Sequence, residues 1–218
     1  MALPQRNKMK LKRLLSIALI LIICTSVGAC LIGCKKDGEG ENMQYVATFI
    51  ITDQDGTDRV VKIQLHPDKA PLSVENFTNL ANNGYYDGLI FHRIVPGGCL
   101  QGGGYRIDGN SIEDAPEVPA IKGEFASNGW DKNDIKHVFG TISMARTNVK
   151  DSATSQFFLC IGSYPSWDGE YAGFGTIVDE EESKNNLNIL ADSSYGNIGY
   201  GFTTFPYPIL VIKSVRVA

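Results

Sequence analysis

The sequence predicts a mainly β domain, a closed eight-stranded antiparallel β-barrel with two helices covering its ends. Three observations lead there. The 218 residues include 23 glycines and 9 prolines, punctuation that suits many short strands better than a helical bundle. Runs rich in β-branched residues recur between turn signals along residues 44–217, whereas helical spacing of apolar residues occurs only twice. No internal repeat is visible, so so many short antiparallel strands must close on themselves to remove their edges.

The elements follow in order. Residues 44–52 and 59–65 (Gln-Tyr-Val-Ala-Thr-Phe-Ile-Ile-Thr and Arg-Val-Val-Lys-Ile-Gln-Leu) read as strands joined by Asp53-Gln54-Asp55-Gly56, a hairpin turn signal. The aspartates there lack the spacing and closing Glu of a calcium loop. A helix is expected from Ser73, just after Pro71, with Val74, Phe77, Leu80 and Ala81 on one face and Gly84 ending it. Strands are expected near residues 89–94, 100–102, 140–145, 156–161 and 173–178. Gly102, Gly103 and Gly104 read as tight backbone turns, since no helix start or Lys-Ser/Thr follows to make a phosphate loop. A second helix over 180–192 would bury Leu187, Ile189 and Leu190, with Glu180, Glu181 and Glu182 at its solvated start. The adjacent Phe157 and Phe158 must point oppositely on a strand, one into the barrel and one outward. Residues 208–217 form the last strand, and 193–207 read as a packed surface loop.

The N-terminal region reads as an address. Arg6, Lys8, Lys10, Lys12 and Arg13 precede the apolar run that starts at Leu14, and no acidic residue occurs before Asp37. A basic flank, an apolar stretch and small residues before a cleavage point make a secretory signal peptide. Its end, Leu31-Ile32-Gly33-Cys34, resembles a bacterial lipobox, so Cys34 is the expected lipidation site, with Cys30 a second candidate. Residues 14–34 also suffice for an uncleaved membrane anchor, and both readings place the domain outside the cytoplasm. The expected organisation is therefore a signal peptide over 1–33, a flexible linker over 34–43 and one domain over 44–218. Beyond residue 33 the chain carries 15 Lys and Arg against 24 Asp and Glu, a net charge of −9. That charge disfavours nucleic acid as a partner. Cys99 and Cys160 are the domain's two cysteines; the sequence leaves open whether they stay free or pair in an oxidising compartment.

Phe91-His92-Arg93-Ile94-Val95-Pro96-Gly97-Gly98-Cys99-Leu100-Gln101-Gly102-Gly103 resembles the cyclophilin signature Phe-His-Arg-x-x-Pro-Gly-Phe-x-x-Gln-Gly-Gly. Phe139 to Ala145, Ser152 to Phe158, Ile121 to Phe125, and Asp168-Gly169 with Phe174-Gly175 are similar to the family's other blocks. Together they span about residues 45–217. The resemblance implies a peptidyl-prolyl cis-trans isomerase without metal or cofactor, acting on proline-containing segments of exported proteins. Its reaction is rotation about an amide whose barrier is about 18–20 kcal/mol, and no bond is made or broken. Such an enzyme must bind the twisted amide better than either planar form. Twisting gives the proline nitrogen a lone pair, which a fixed cationic donor stabilises selectively. Arg93 matches that donor, and Gln101 the residue that holds it and the substrate carbonyl. Phe158 matches the floor of the proline pocket. Phe91, His92, Cys99, Ala145, Arg146, Gln156, Trp167 and Tyr171 fall at positions lining the peptide groove. The three histidines share no metal-ligand spacing. The expected product is a monomeric lipoprotein on the outer face of the cell membrane; the alternative is a peptide-holding module of the same fold with little turnover.

The sequence also departs from the pattern. Gly98 stands where the family has a phenylalanine of the proline pocket, and Cys99 where it has methionine. Ser166 falls where an aromatic residue completes the groove, with Trp167 adjacent as a substitute if the loop shifts by one. Tyr171 replaces a histidine and Arg146 a small polar residue.

Overall fold

The computed structural model describes residues 45–178, 180–199 and 201–218. The expected signal peptide, linker and Cys34 lie outside the described residues. Strand β1 (Val46–Thr52) alternates buried and half-buried positions, sending Ala47, Phe49 and Ile51 inward. Strand β2 (Asp58–Leu65) answers with Val61, Ile63 and Leu65. The turn between them is built on Asp53. Its Oδ1 accepts hydrogen bonds from the amides of Asp55 and Thr57, and its Oδ2 accepts one from Arg59 Nε at 2.7 Å. The carboxylate is thereby used up in shaping a turn, as the hairpin reading requires.

Further strands are β3 (Leu89–Val95), β4 (Cys99–Asp108), β5 (Ser111–Asp114), β6 (Thr141–Met144), β7 (Phe157–Cys160), β8 (Gly173–Ile177), β9 (Tyr195–Gly196), β10 (Phe205–Pro206) and β11 (Leu210–Val217). Eight of them close antiparallel in the order β1-β2-β8-β6-β7-β4-β3-β11 and back to β1. β5 extends β4 outside that ring, and β9 pairs with β10 separately.

Strand β4 corrects the expectation that the chain turns at residues 102–104. The three glycines continue the strand because bare backbone is what their surroundings admit. A side chain on Gly103, at φ +83°, would press on the Tyr86 and Phe157 rings, and one on Gly104 would overlap the Gln156 side chain. The strand then runs on to pair with β5, so that Tyr105 lies opposite Asp114.

Helix α1 (Pro71–Asn82) begins two residues earlier than expected, with Pro71 at its first position. Val74, Phe77 and Ala81 are buried, Leu80 partly. Ser73 is not its cap. The buried carboxylate of Glu124, 51 residues away, accepts hydrogen bonds from the Leu72 and Ser73 amides at 2.9 and 2.8 Å and from Ser73 Oγ at 2.8 Å. An acceptor with negative charge suits a helix N-terminus. In Glu124→Gln one carboxylate oxygen becomes an NH2 that faces donors, and stability should fall by roughly 2 kcal/mol. A lower urea midpoint at unchanged slope would report this.

Helix α2 (Glu181–Ala191) buries Ser183, Leu187 and Leu190 and packs on β2. Ile189 is exposed, contrary to expectation. It lies two residues from Leu187, about 200° around a helix of 3.6 residues per turn, and so faces solvent. One aromatic-rich core fills the barrel, with Phe49, Phe77, Tyr86, Phe91, Phe157 and Phe174 all fully buried.

Candidate active site

The site grows from the β3–β4 hairpin. Phe91 pairs with Gly102 and Arg93 with Gln101, so two residues of β3 advance against one of β4. This bulge re-aims three successive side chains. Phe91 enters the core, where its ring lies 5.9 Å from that of Phe157. It therefore does not reach the groove, which corrects its expected place among the groove residues. His92 is buried, and Arg93 projects to the exposed rim.

Arg93 Nη1 donates to Gln101 Oε1 at 3.2 Å, and Gln101 Nε2 donates to Gln156 Oε1 at 3.0 Å. The chain of bonds fixes which way the Gln101 amide points and holds the guanidinium from one side. Among the described residues no carboxylate lies within ion-pair distance of Arg93, so its other N–H donors remain available. Beside it is a hollow of about 100 Å³. Cys99, Gln101 and Phe158 line it from the barrel wall, Ala145 and Arg146 from just past the end of β6, and Trp167 and Tyr171 from the loop between β7 and β8. Eight of the eleven groove and catalytic positions expected from the sequence thus meet around one cavity. Gln156 and His92 line adjoining hollows.

The paired phenylalanines divide as the strand period demands. Phe157 joins the core, and Phe158 joins an outer cluster with Cys99 and Cys160. Trp167 stands 5.3 Å from the Phe158 ring at 73°, and Tyr171 stands 5.6 Å from it, nearly perpendicular. Such tilted arrangements are favourable for aromatic rings. Trp167 fills the position that Ser166 vacates, because a 3-10 turn over Pro165–Trp167 carries the indole inward and leaves Ser166 exposed. Gly98 leaves no gap either. A Cβ there would meet Val95 Cγ1 at 2.8 Å, and Val95 packs against the Cys99–Phe158–Cys160 cluster. Arg146 lies over the Tyr171 ring at 4.6 Å while donating to the carbonyls of Glu170 and Thr147, which makes it a wall of the hollow.

Beneath Phe158 lies a polar support that the sequence reading missed. The His137 ring stacks under Phe158 at 6.0 Å and 26°. Its Nδ1 is 3.2 Å from Asp168 Oδ1 and its Nε2 is 3.1 Å from Ser143 Oγ. Burial raises the Asp168 pKa, but hydrogen bonds from the His137 amide and ring and from Lys136 outweigh that and leave it below the usual value. Ser, His and Asp in series suggest nucleophilic chemistry. Here Ser143 is fully buried and His137 only 1% exposed, under a ring that closes them off from substrate. The array orients Phe158. Asp168 was noticed in the sequence only as a landmark, and the 31 residues separating it from His137 hid the pair.

Cys99 and Cys160 sit directly opposite on β4 and β7, and both are free. Burial pushes their pKa values up to about 11 and about 12. Both remain thiols with little nucleophilic character; Cys99 lines the hollow, and Cys160 is fully buried behind it. Among the described residues no three of His, Cys, Asp and Glu gather as a metal-ligand group.

Burial, reinforced by the charge of Arg93, pushes the His92 pKa down to about 4. Burial lowers His66 and His137 as well. The unfolded chain takes up these protons near pH 6.5 while the folded chain resists. Stability is therefore intact above about pH 6.5 and is lost as the pH falls toward 4, with His92 accounting for roughly 3 kcal/mol of the loss. Urea midpoints at pH 7.5 and 4.5 should show it, and His92→Gln should flatten the dependence.

The sequence profile of the cyclophilin type peptidyl-prolyl cis-trans isomerase/CLD family matches residues 49–217. Peptidyl-prolyl cis-trans isomerase A of Dickeya dadantii is 36% identical over 162 residues, covering 72% of this chain and 78% of that one. Peptidyl-prolyl cis-trans isomerase B of Escherichia coli K12 is 32% identical, with 72% and 93% covered. Among solved structures, a cyclophilin type peptidyl-prolyl cis-trans isomerase from Cryptosporidium parvum superposes with a TM-score of 0.60 over 80% of this chain and 98% of that one, at 24% identity. With a barrel closed by the same strands that carry the hollow, and a family match over residues 49–217, the chain belongs to the cyclophilin-type peptidyl-prolyl cis-trans isomerases and is an enzyme of that activity.

Proposed function

We propose that this isomerase assists the folding of exported polypeptides at the outer face of a bacterial cell membrane, tied there by lipid on Cys34, and that Arg93 is its catalytic residue. The observation that carries the catalytic assignment is a guanidinium without a carboxylate partner among the described residues, steadied by Gln101, at the rim of a hollow floored by Phe158. In this reading the substrate's proline ring enters the hollow and lies on Phe158 between Cys99 and Trp167. Arg93 then donates to the proline nitrogen as the amide twists and that nitrogen loses conjugation. In the planar amide the nitrogen lone pair is delocalised and accepts poorly, so the bond strengthens only in the transition state. Gln101 and Gln156 hold the flanking backbone. Proton transfer is not needed, which leaves His92 a packing role.

The basic-then-apolar N-terminus ending in Leu-Ile-Gly-Cys supports export and lipidation, and the polar, glycine-containing stretch over 35–41 supports a tether that lets a monomeric domain reach its clients. In cells expressing the full chain, the mature protein should start at Cys34, carry the mass of added lipid and sediment with membranes. Cys34→Ser should remove the lipid mass and block processing. An unlipidated wild-type protein with residues 1–33 still attached would overturn the lipid anchor and favour an uncleaved membrane anchor. The purified full chain in detergent should accelerate a refolding reaction limited by proline isomerisation.

A further inference from the structure

A second hollow, of about 220 Å³, shares Arg93 and Gln101 with the proline hollow but none of its aromatic floor. Its walls come from His92 on β3, Tyr105 on β4, and Phe202 and Thr204 in the segment between α2 and β11. The rings interlock edge to face: His92 and Tyr105 at 4.7 Å and 70°, Tyr105 and Phe202 at 5.1 Å and 86°. The segment is pinned where it matters. The Ile94 amide, one residue beyond Arg93, donates to the Thr204 carbonyl at 2.8 Å, and Phe202 packs on the buried Phe205 at 5.7 Å. The hollow is thus formed before any substrate arrives.

Its chemistry is specific. Among the described residues none that lines it is acidic and Arg93 is the one cation, so a lysine or arginine side chain would meet repulsion and no counter-charge. The uncharged side chains of Gln101, Gln156 and Thr203 also line it. Aromatic edges with scattered neutral polar atoms suit a flat, uncharged ring. The two hollows abut at Arg93 and Gln101, and successive Cα atoms are about 3.8 Å apart, so one residue's step carries a side chain from one to the other.

We propose that this hollow is a side-chain subsite that accepts a neutral aromatic residue adjoining the proline, with Phe202 and Tyr105 as its specificity-determining residues. The proposal rests on the assignment of the proline ring to the Phe158 hollow.

The test uses the full chain in detergent and two sets of short proline peptides. One set carries Phe, Tyr, Lys or Ala immediately before the proline, the other immediately after it. In one of the sets the aromatic peptides should exceed the alanine peptide by about 5- to 10-fold in kcat/KM, mostly through KM, with the lysine peptide lowest. Phe202→Ala should bring the aromatic-to-alanine ratio within about twofold. Should that variant lose stability, Phe202→Leu, which keeps an apolar side chain and removes the ring, reads the same ratio. Equal ratios in wild type and variants, or a preference for lysine, would overturn the subsite. If no peptide is turned over by the wild type, the isomerase mechanism fails on its own account, and the affinity ratios of the same peptides, by fluorescence titration, decide the subsite.

Discussion

Arg93→Ala is expected to lower kcat/KM for a proline peptide by about 10²- to 10³-fold, the range for removing one preorganised donor from a developing transition state. That corresponds to roughly 3–4 kcal/mol of transition-state stabilisation. The folded state should hardly notice. Arg93 is exposed, and its hydrogen bond in the protein is the 3.2 Å contact to Gln101, so unfolding should shift by no more than about 0.5 kcal/mol. Arg93→Lys keeps the charge but not the planar fork, and should fall between the two. Peptide kinetics and urea unfolding on the same preparations check the prediction. An alanine variant retaining more than a third of wild-type activity would remove Arg93 from the centre of the mechanism.

The adjacent phenylalanines should separate stability from binding. Phe157 is fully buried, with the rings of Phe49, Phe77, Tyr86 and Phe91 at 5.6, 5.7, 5.4 and 5.9 Å. Alanine there opens a closed cavity and should cost about 3–5 kcal/mol, lowering the thermal midpoint by roughly 10 °C in a domain of this size. Phe158 also has little exposure, but its outer face borders a hollow that already exists. Its truncation widens that hollow, so the loss of stability should be smaller, about 1–3 kcal/mol, while KM rises because the floor of the proline slot is gone. Parallel unfolding and kinetic measurements on the two variants read the contrast. Equal loss of stability with an unchanged KM for Phe158→Ala would contradict the division.

What the sequence made legible was what lies close along the chain. Arg93, Cys99 and Gln101 belong to a single hairpin, so one contiguous motif brought them together before any coordinates. Alternation in β1 and β2 and the Asp53 turn were equally local. The missed features join distant residues or depend on register. Glu124 caps a helix 51 residues away, and His137 meets Asp168 across a loop. The bulge that turns Phe91 inward is a property of two strands in register, which neither displays alone. Trp167, by contrast, was already offered by the sequence in place of Ser166 if the loop shifted by one, and a 3-10 turn supplies that shift. The glycines of β4 read as turns because their role, admitting rings against bare backbone, is set by partners elsewhere.

The closure of the sheet has a consequence for how the chain is made. β11 pairs with β1 on one side and β3 on the other, so residues 210–217 complete what β1 begins. Until residues 210–217 have been made and are free to pair, β1 and β3 each keep an unpaired edge, and the barrel cannot close. Closure between strands so far apart along the chain is slow. A product truncated before residue 210 would keep open edges that invite aggregation.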